Sequence, residues 1–501
     1  MMFKPTLIIH GGAGSLSRST LPPSLYERYH VSLLAYLRST RSLLDLGASA
    51  LDAVVHAVSL LEDDELFNCA RGSVFTSAGT IEMEASLMVT SIDPDSEPNI
   101  KTNADGISSS NGIHSAMHPG SIKKGVGVIG LKNVRHPIRL AHEALLRSGL
   151  GDHHDGGNMH AQLAAPYVED LARQWGLEFM PDEYFWTKRR WEEHRRGLHK
   201  PLEVGLGGST GVCDGDSECD VGLPPYVEEY MDYLPQGTVG CVCLDQSGHL
   251  AVATSTGGKT NKVPGRVGDT PTLGAGFWAE NWTTSSDSLV GFGVENSSLD
   301  MSRTGGSIRT GREDIEDDWS SWMDCIPSLL KGCIPGYGSR STSTTLPGWH
   351  NPHGKDALFT DEKIPLMDPP SCPPQMKGTT RRAVAVSGTG DGDAFLRVCA
   401  ARTACAMARF SGLTLADAVS AVAGHGGELQ RSAGPRWGSG EGQGGIIGIE
   451  VEVDHTSVEK ERQGRGRVVF DFNCGGMWRA WIDEMNGEDV EKVMVFQEPY
   501  Y

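Results

Sequence analysis

Gly237-Thr238-Val239-Gly240 opens the run GTVGCVCLDQSGHLAVATSTGG, residues 237–258, and the reading of this run decides the fold. Thr238 to Leu244 and His249 to Thr254 alternate as two strands, and Asp245-Gln246-Ser247-Gly248 between them is a hairpin signal. Such a hairpin brings Thr256, 18 residues on, back beside Thr238. A hydroxyl is a poor nucleophile without a base, and a threonine freed at its amino terminus supplies one in its own α-amine. The ordinary α-amino pKa of about 7.7–8.0 leaves part of that amine neutral at working pH. Glycine at 237 permits the contorted backbone that an N-to-O acyl shift at Thr238 needs. Read in isolation, GTV is only a β-branched residue opening a strand.

Other stretches carry chemistry of their own. Arg266 and Asp269 stand three apart in a glycine-interrupted loop. An amino-acid substrate needs a guanidinium for its α-carboxylate and a carboxylate for its α-ammonium; a surface ion pair is the bland alternative. Ser387-Gly388-Thr389-Gly390-Asp391-Gly392-Asp393 follows a strand and opens a helix, where backbone N–H groups point at an anion. It matches a dinucleotide fingerprint only in part, and Asp391 and Asp393 would repel phosphate, which speaks against a nucleotide. Gly207-Gly208-Ser209-Thr210-Gly211 satisfies GxSxG but has no strand before it, and Gly257-Gly258-Lys259-Thr260 ends like a Walker motif but has Ala253 where the first glycine belongs. The first is a chance match, and the second lacks a glycine the motif needs.

The ungapped run from Gly237 to Asn281 resembles the start of the β subunit in the plant-type asparaginase and isoaspartyl peptidase family. So do His10-Gly11-Gly12-Ala13-Gly14 at the start of the chain, Leu66 to Phe75, Ser387 to Asp393 and Phe472 to Trp481, in the family's order. The resemblance implies a four-layer αββα sandwich of the N-terminal nucleophile hydrolase type, with long insertions, and a precursor that cuts itself between Gly237 and Thr238. It implies Thr238 as nucleophile, Thr256 as the hydroxyl that assists it, and Arg266 and Asp269 as the substrate clamp. Thr389 and Gly390 would form the oxyanion hole and substrate pocket, and Asn68 would face the active threonine. The backbone carbonyls of Leu61, Glu62, Phe67, Cys69 and Arg71 would hold a structural sodium, although Ala70-Arg71 departs from the family pattern, which usually has glycine at the first position. No organic cofactor is implied. The expected substrate is L-asparagine or a β-aspartyl dipeptide, and family members commonly pair two αβ units. Two other readings stay open: a taspase-like endopeptidase, suggested by Gly276-Phe277-Trp278-Ala279-Glu280-Asn281 but opposed by Asp269, and a non-enzymatic binding protein.

Away from these motifs the chain reads as a layered α/β domain with strands in hairpins. Lys4 to Ile9 is a strand that turns at Gly11-Gly12-Ala13-Gly14; residues 24–45 and 48–62 are helical, and Val74 to Met83 with Ala85 to Thr90 form a hairpin of buried strands. Further helices are expected at 138–149, 160–175, 394–410 and 414–423, and strands at 382–387, 445–452 and 466–472. Residues 203–236 read as a mobile linker closing an α-subunit half, 1–237. Residues 283–378 read as a low-order insertion within a β-subunit half, 238–501.

Among the 501 residues Lys and Arg number 44 and Asp and Glu 64, so 44 − 64 gives a charge of −20 that repels nucleic acid and anionic membranes. No segment approaches a membrane span, and the first residues lack a signal-peptide core, so a cytoplasmic protein is expected. Eleven cysteines without paired CxxC spacing read as buried thiols in a reducing compartment, Cys241 and Cys243 among them as core packing rather than metal ligands.

Overall fold

A computed structural model describes residues 2–91, 124–147, 160–199, 237–285, 379–454 and 464–501. The expected linker, Ser209 and all but the first three residues of the expected insertion lie outside them. The strands are β1 (Phe3–Lys4), β2 (Thr6–Gly14), β3 (Met83–Ser91), β4 (Lys124–Leu131), β5 (Gln162–Ala164), β6 (Val239–Leu244), β7 (His249–Thr256), β8 (Phe277–Ser285), β9 (Thr379–Gly390), β10 (Gly444–Asp454), β11 (Gly464–Arg465), β12 (Arg467–Phe472), β13 (Gly476–Met485) and β14 (Glu488–Met494). The helices are α1 (Pro23–Asp45), α2 (Ala50–Asp63), α3 (Pro137–Arg147), α4 (Tyr167–Gln174), α5 (Asp182–Phe185), α6 (Lys188–His199), α7 (Gly392–Val398), α8 (Ala400–Phe410), α9 (Leu415–Ala423) and α10 (Glu428–Ala433). No described helix is long and apolar enough to cross a membrane.

Eight strands form one sheet in the order β14-β13-β2-β6-β7-β3-β4-β5, four form another in the order β12-β10-β9-β8, and β1 pairs with β11. Period-2 alternation explains how the sheets are covered. On β6, Val239, Cys241 and Cys243 join a core cluster with Leu33, Leu37, Val54 and Val58 of α1 and α2. The intervening Val242 and Leu244 join a second cluster with Phe277, Ala385 and Ile447 of the smaller sheet. On β9, Ala383 and Ala385 face that second cluster, whereas Val384 and Val386 pack with Ala401, Ala404, Val419 and Val422 of α8 and α9. The Cys241 and Cys243 sulfurs lie 3.5 Å apart in this core.

Local chemistry sets the joints. Pro at N1 opens α1 and Gly47, at φ +91°, follows its end. The Ser49 hydroxyl caps α2 by accepting from Asp52 N–H. Asp245 builds the β6–β7 turn by accepting from the Ser247 and His249 amides, and its other oxygen accepts from Ala50 N–H at the start of α2.

Four expectations need correction. The glycines at 11–14 do not turn away: β2 runs through them to Gly14, with Gly12 at φ +113° beside a register shift against β13. Val74 to Glu82 is not a strand; β3 begins at Met83 and is sandwiched between β4 and β7, so long-range pairing replaced the expected local hairpin. The helix expected over 160–175 opens as β5, parallel to β4, and becomes helical at Tyr167. The helix expected over 394–410 breaks at Cys399, whose φ of +46° separates α7 from α8.

Candidate active site

Thr238 sits just ahead of β6. Val239 pairs with Ser255 and Gly240 with Thr254, and one step further the register sets Thr238 level with Thr256. Both threonines are buried, 5% and 3% exposed. The Thr238 hydroxyl lies 2.8 Å from the hydroxyl of Thr270, and Thr256 Oγ1 accepts from Gly258 N–H at 2.9 Å. Both glycines of the GTVG run are needed for close approach. A Cβ on Gly237 would collide with Thr389 Oγ1 and come within 2.7 Å of Ala13 N; one on Gly240 would collide with His10 Nε2 and Ser387 Oγ. His10 and Ser387 are themselves hydrogen-bonded at 2.7 Å, and burial pushes the imidazole pKa down to about 3, so it is neutral at physiological pH.

The other wall comes from β9 and the loop after β7. Thr389 Oγ1 accepts from Ala13 N–H at 3.2 Å. Gly390 has φ +143°, and a side chain there would strike the Gln443 carbonyl. Arg266 Nη2 donates to Asp393 at 2.7 Å, while Asp269 is buried with its Oδ2 unpartnered among the described residues. Burial first, then the nearby Glu84 and Asp391, push the Asp269 carboxyl up to about 7, against the opposing pull of Arg266. Arg266 and Asp269 converge on Gly392, where a Cβ would strike Asp269 Oδ1 and lie 3.2 Å from Arg266 Nη2. Glu84 braces this loop by accepting from Gly268 N–H at 3.0 Å. A cleft of about 690 Å³ gathers Gly237, Thr238, Thr256, Arg266, Asp269 and Gly390 on its walls.

Asn68 and Thr389 are not among the residues that line the cleft. Asn68 is buried; its Nδ2 donates to the Gly258 carbonyl at 2.7 Å and its Oδ1 accepts from Val74 N–H at 3.0 Å, so it holds the turn that carries Thr256. Around it, Ala70 adopts φ +37°, a left-handed backbone that favours glycine, so the loop keeps the glycine-like shape despite the alanine. The Arg71 guanidinium stacks 5.7 Å over Tyr184, and the buried Arg190 donates through Nε to the Gly72 carbonyl at 2.8 Å. A Cβ on Gly72 would collide with the Phe67 carbonyl oxygen and lie 2.7 Å from that of Glu65. Carbonyl oxygens thus crowd this turn, although the Leu61 and Cys69 carbonyls already accept protein donors.

Thr270 and Glu84 escaped sequence reasoning. Thr270 follows Asp269 directly, yet a hydroxyl among so many carries no signal until the fold sets it against Thr238. Thr270→Val, which keeps the shape and removes the hydroxyl, should slow any self-cleavage at Thr238 about tenfold, the weight of one hydrogen bond, while Thr270→Ser stays near the parent rate. Band ratios over time on a denaturing gel measure this, and an unchanged valine variant would remove Thr270 from the reaction.

A family profile described as asparaginase matches residues 3–92 and 108–293, more than half of the chain. The chain belongs to the asparaginase family. The match ends before β9, so Thr389 and Gly390 lie beyond it, while Thr238, Thr256, Arg266 and Asp269 fall inside. An isoaspartyl peptidase of Escherichia coli (strain K12) is 34% identical over 280 residues, covering 56% of this chain and 69% of the relative. The Homo sapiens isoaspartyl peptidase/L-asparaginase is 31% identical over 283 residues, covering 55% and 68%. The Danio rerio protein of the same description is 30% identical over 280 residues, covering 55% and 67%.

Proposed function

We propose that this asparaginase-family chain cuts itself between Gly237 and Thr238 and then hydrolyses L-asparagine and β-aspartyl dipeptides through an acyl-threonine intermediate. The observation that carries the reading is the buried Asp269 oxygen, unpartnered among the described residues, in the cleft that holds Thr238 and Arg266. A carboxylate left without a partner at that depth is costly unless a cation arrives, and the α-ammonium of an amino acid is such a cation.

In the precursor the Thr238 oxygen attacks the Gly237 carbonyl carbon. The peptide bond to the Thr238 nitrogen breaks, and an ester forms that water hydrolyses. The freed α-amine then takes the hydroxyl proton as Thr238 attacks the substrate's side-chain carbonyl carbon. The leaving amine departs with that proton, and water releases aspartate. Thr256 orients the nucleophile, and the Thr389 hydroxyl and Gly390 amide receive the oxyanion. Arg266 takes the α-carboxylate once it swings from Asp393.

The same reading takes the fold as a four-layer αββα sandwich, supported by three core clusters that alternate between helices and sheets. It includes a structural sodium held by the carbonyls of Leu61, Glu62, Phe67, Cys69 and Arg71, in keeping with the oxygens crowded around Gly72. It also takes two αβ units as pairing, in the cytoplasm, a setting that suits the free thiols of Cys69, Cys241 and Cys243. The endopeptidase reading loses its sequence support, because Trp278 and Glu280 have packing duties: Arg402 lies 5.2 Å over the Trp278 ring, and Arg402 and Arg409 both pair with Glu280. Ammonia release from asparagine and amino-acid release from β-aspartyl-leucine by the cleaved protein test the proposal. Release of neither would reject it.

A further inference from the structure

The cleft is larger than one amino acid requires, and its charge is divided. At about 690 Å³ it lies in the range that holds ligands of drug size. Around the nucleophile carboxylates outnumber cations, with Glu84, Asp269, Asp391 and Asp393 against Arg266 and Lys259. Asp393, in the first turn of α7, is taken by Arg266, and beyond it the end of α7 and the 3₁₀ turn Gly434–Ser439 carry two arginines against one carboxylate. There Arg397 and Arg436 share a single carboxylate: Arg397 Nη2 lies 2.7 Å and Arg436 Nη2 2.8 Å from Glu441 Oε1. Their side chains are 40% and 64% exposed, so unpaired guanidinium donors remain open to the cleft. In a chain of net charge −20 this local surplus of one positive charge calls for an anionic ligand.

We propose that Arg397 and Arg436 form a subsite for the carboxylate of the leaving residue, so that the cleft selects β-aspartyl peptides that end one residue beyond the scissile bond. The assignment rests on the function proposed above. With the α-ammonium at Asp269 and the scissile carbonyl at Thr238, a β-aspartyl dipeptide carries one further charge, the carboxylate beyond the amide, and the arginine flank matches its sign. Asparagine, whose leaving group is ammonia, makes no use of that flank.

The test compares kcat/KM for β-aspartyl-leucine, its C-terminal amide and L-asparagine. In the double variant Arg397→Ala, Arg436→Ala the ratio of β-aspartyl-leucine to asparagine should fall about tenfold, through KM, while the ratio of the amide to asparagine stays within twofold. Glu441→Gln leaves the guanidiniums unneutralised and should raise the first ratio two- to threefold, about the weight of one exposed charge. A double variant with an unchanged ratio, or one in which the amide suffers equally, overturns the subsite while leaving the proposed function standing. A parent protein that is inactive on all three substrates overturns both.

Discussion

Thr238→Ala should remain a single chain and release no ammonia from asparagine. The alanine lacks the only atom that can attack the Gly237 carbonyl, so the α-amine that would serve as the base is never freed. Both defects follow from one missing oxygen. Loss of a covalent nucleophile costs on the order of 10⁶ in turnover in well-studied hydrolases, which places the variant at background. Thr238→Ser keeps the hydroxyl and should retain some cleavage and some turnover. An alanine variant that still turned over asparagine would shift attention to Thr256, level with it across the hairpin.

Asp269→Asn should separate self-cleavage from substrate recognition. The scissile Gly237-Thr238 bond presents no free ammonium, so the variant should process at the parent rate. On asparagine its kcat/KM should fall roughly ten- to hundredfold, the weight of one charge-assisted hydrogen bond. A pH signature belongs to the same residue. Because burial raises the carboxyl to about 7, it is protonated below that value and cannot receive the ammonium, so KM in the parent should fall as pH rises through about 7. The asparagine variant should lack that limb, while the limb of kcat that reports the Thr238 α-amine persists. The linkage to stability runs the other way. A carboxyl whose folded pKa exceeds its unfolded value binds more protons when folded, so Asp269 subtracts stability as pH climbs from about 4 to about 7. A variant with parental KM across this range would remove Asp269 from the clamp.

What could be read from the sequence was local. The β6–β7 hairpin is visible because Asp245 and Gly248 close its turn within four residues and the flanking strands alternate. Arg266 and Asp269 are visible because they share one short loop with a shape that chemistry explains. Features built by distant partners were not. Val74 to Glu82 is apolar enough for a strand, but β3 finds its neighbours at β4 and β7, so no local rule set its start. Apolar spacing runs unbroken through Cys399, and the left-handed residue that splits α7 from α8 leaves no mark on that spacing. Thr270 meets Thr238 across 32 residues, and Arg397 meets Glu441 across 44. Asn68 was visible from its motif, while its part in holding the turn after Thr256 came only with the fold.

The most direct test of the central claim is the mass spectrum of freshly purified protein held at neutral pH, with amino-terminal sequencing of each species. The account predicts two fragments in the parent protein, residues 1–237 and 238–501, the second beginning Thr-Val-Gly-Cys, and only the intact chain in Thr238→Ala. A wild-type chain that stays whole on long incubation, or one cut at any other bond, would contradict it.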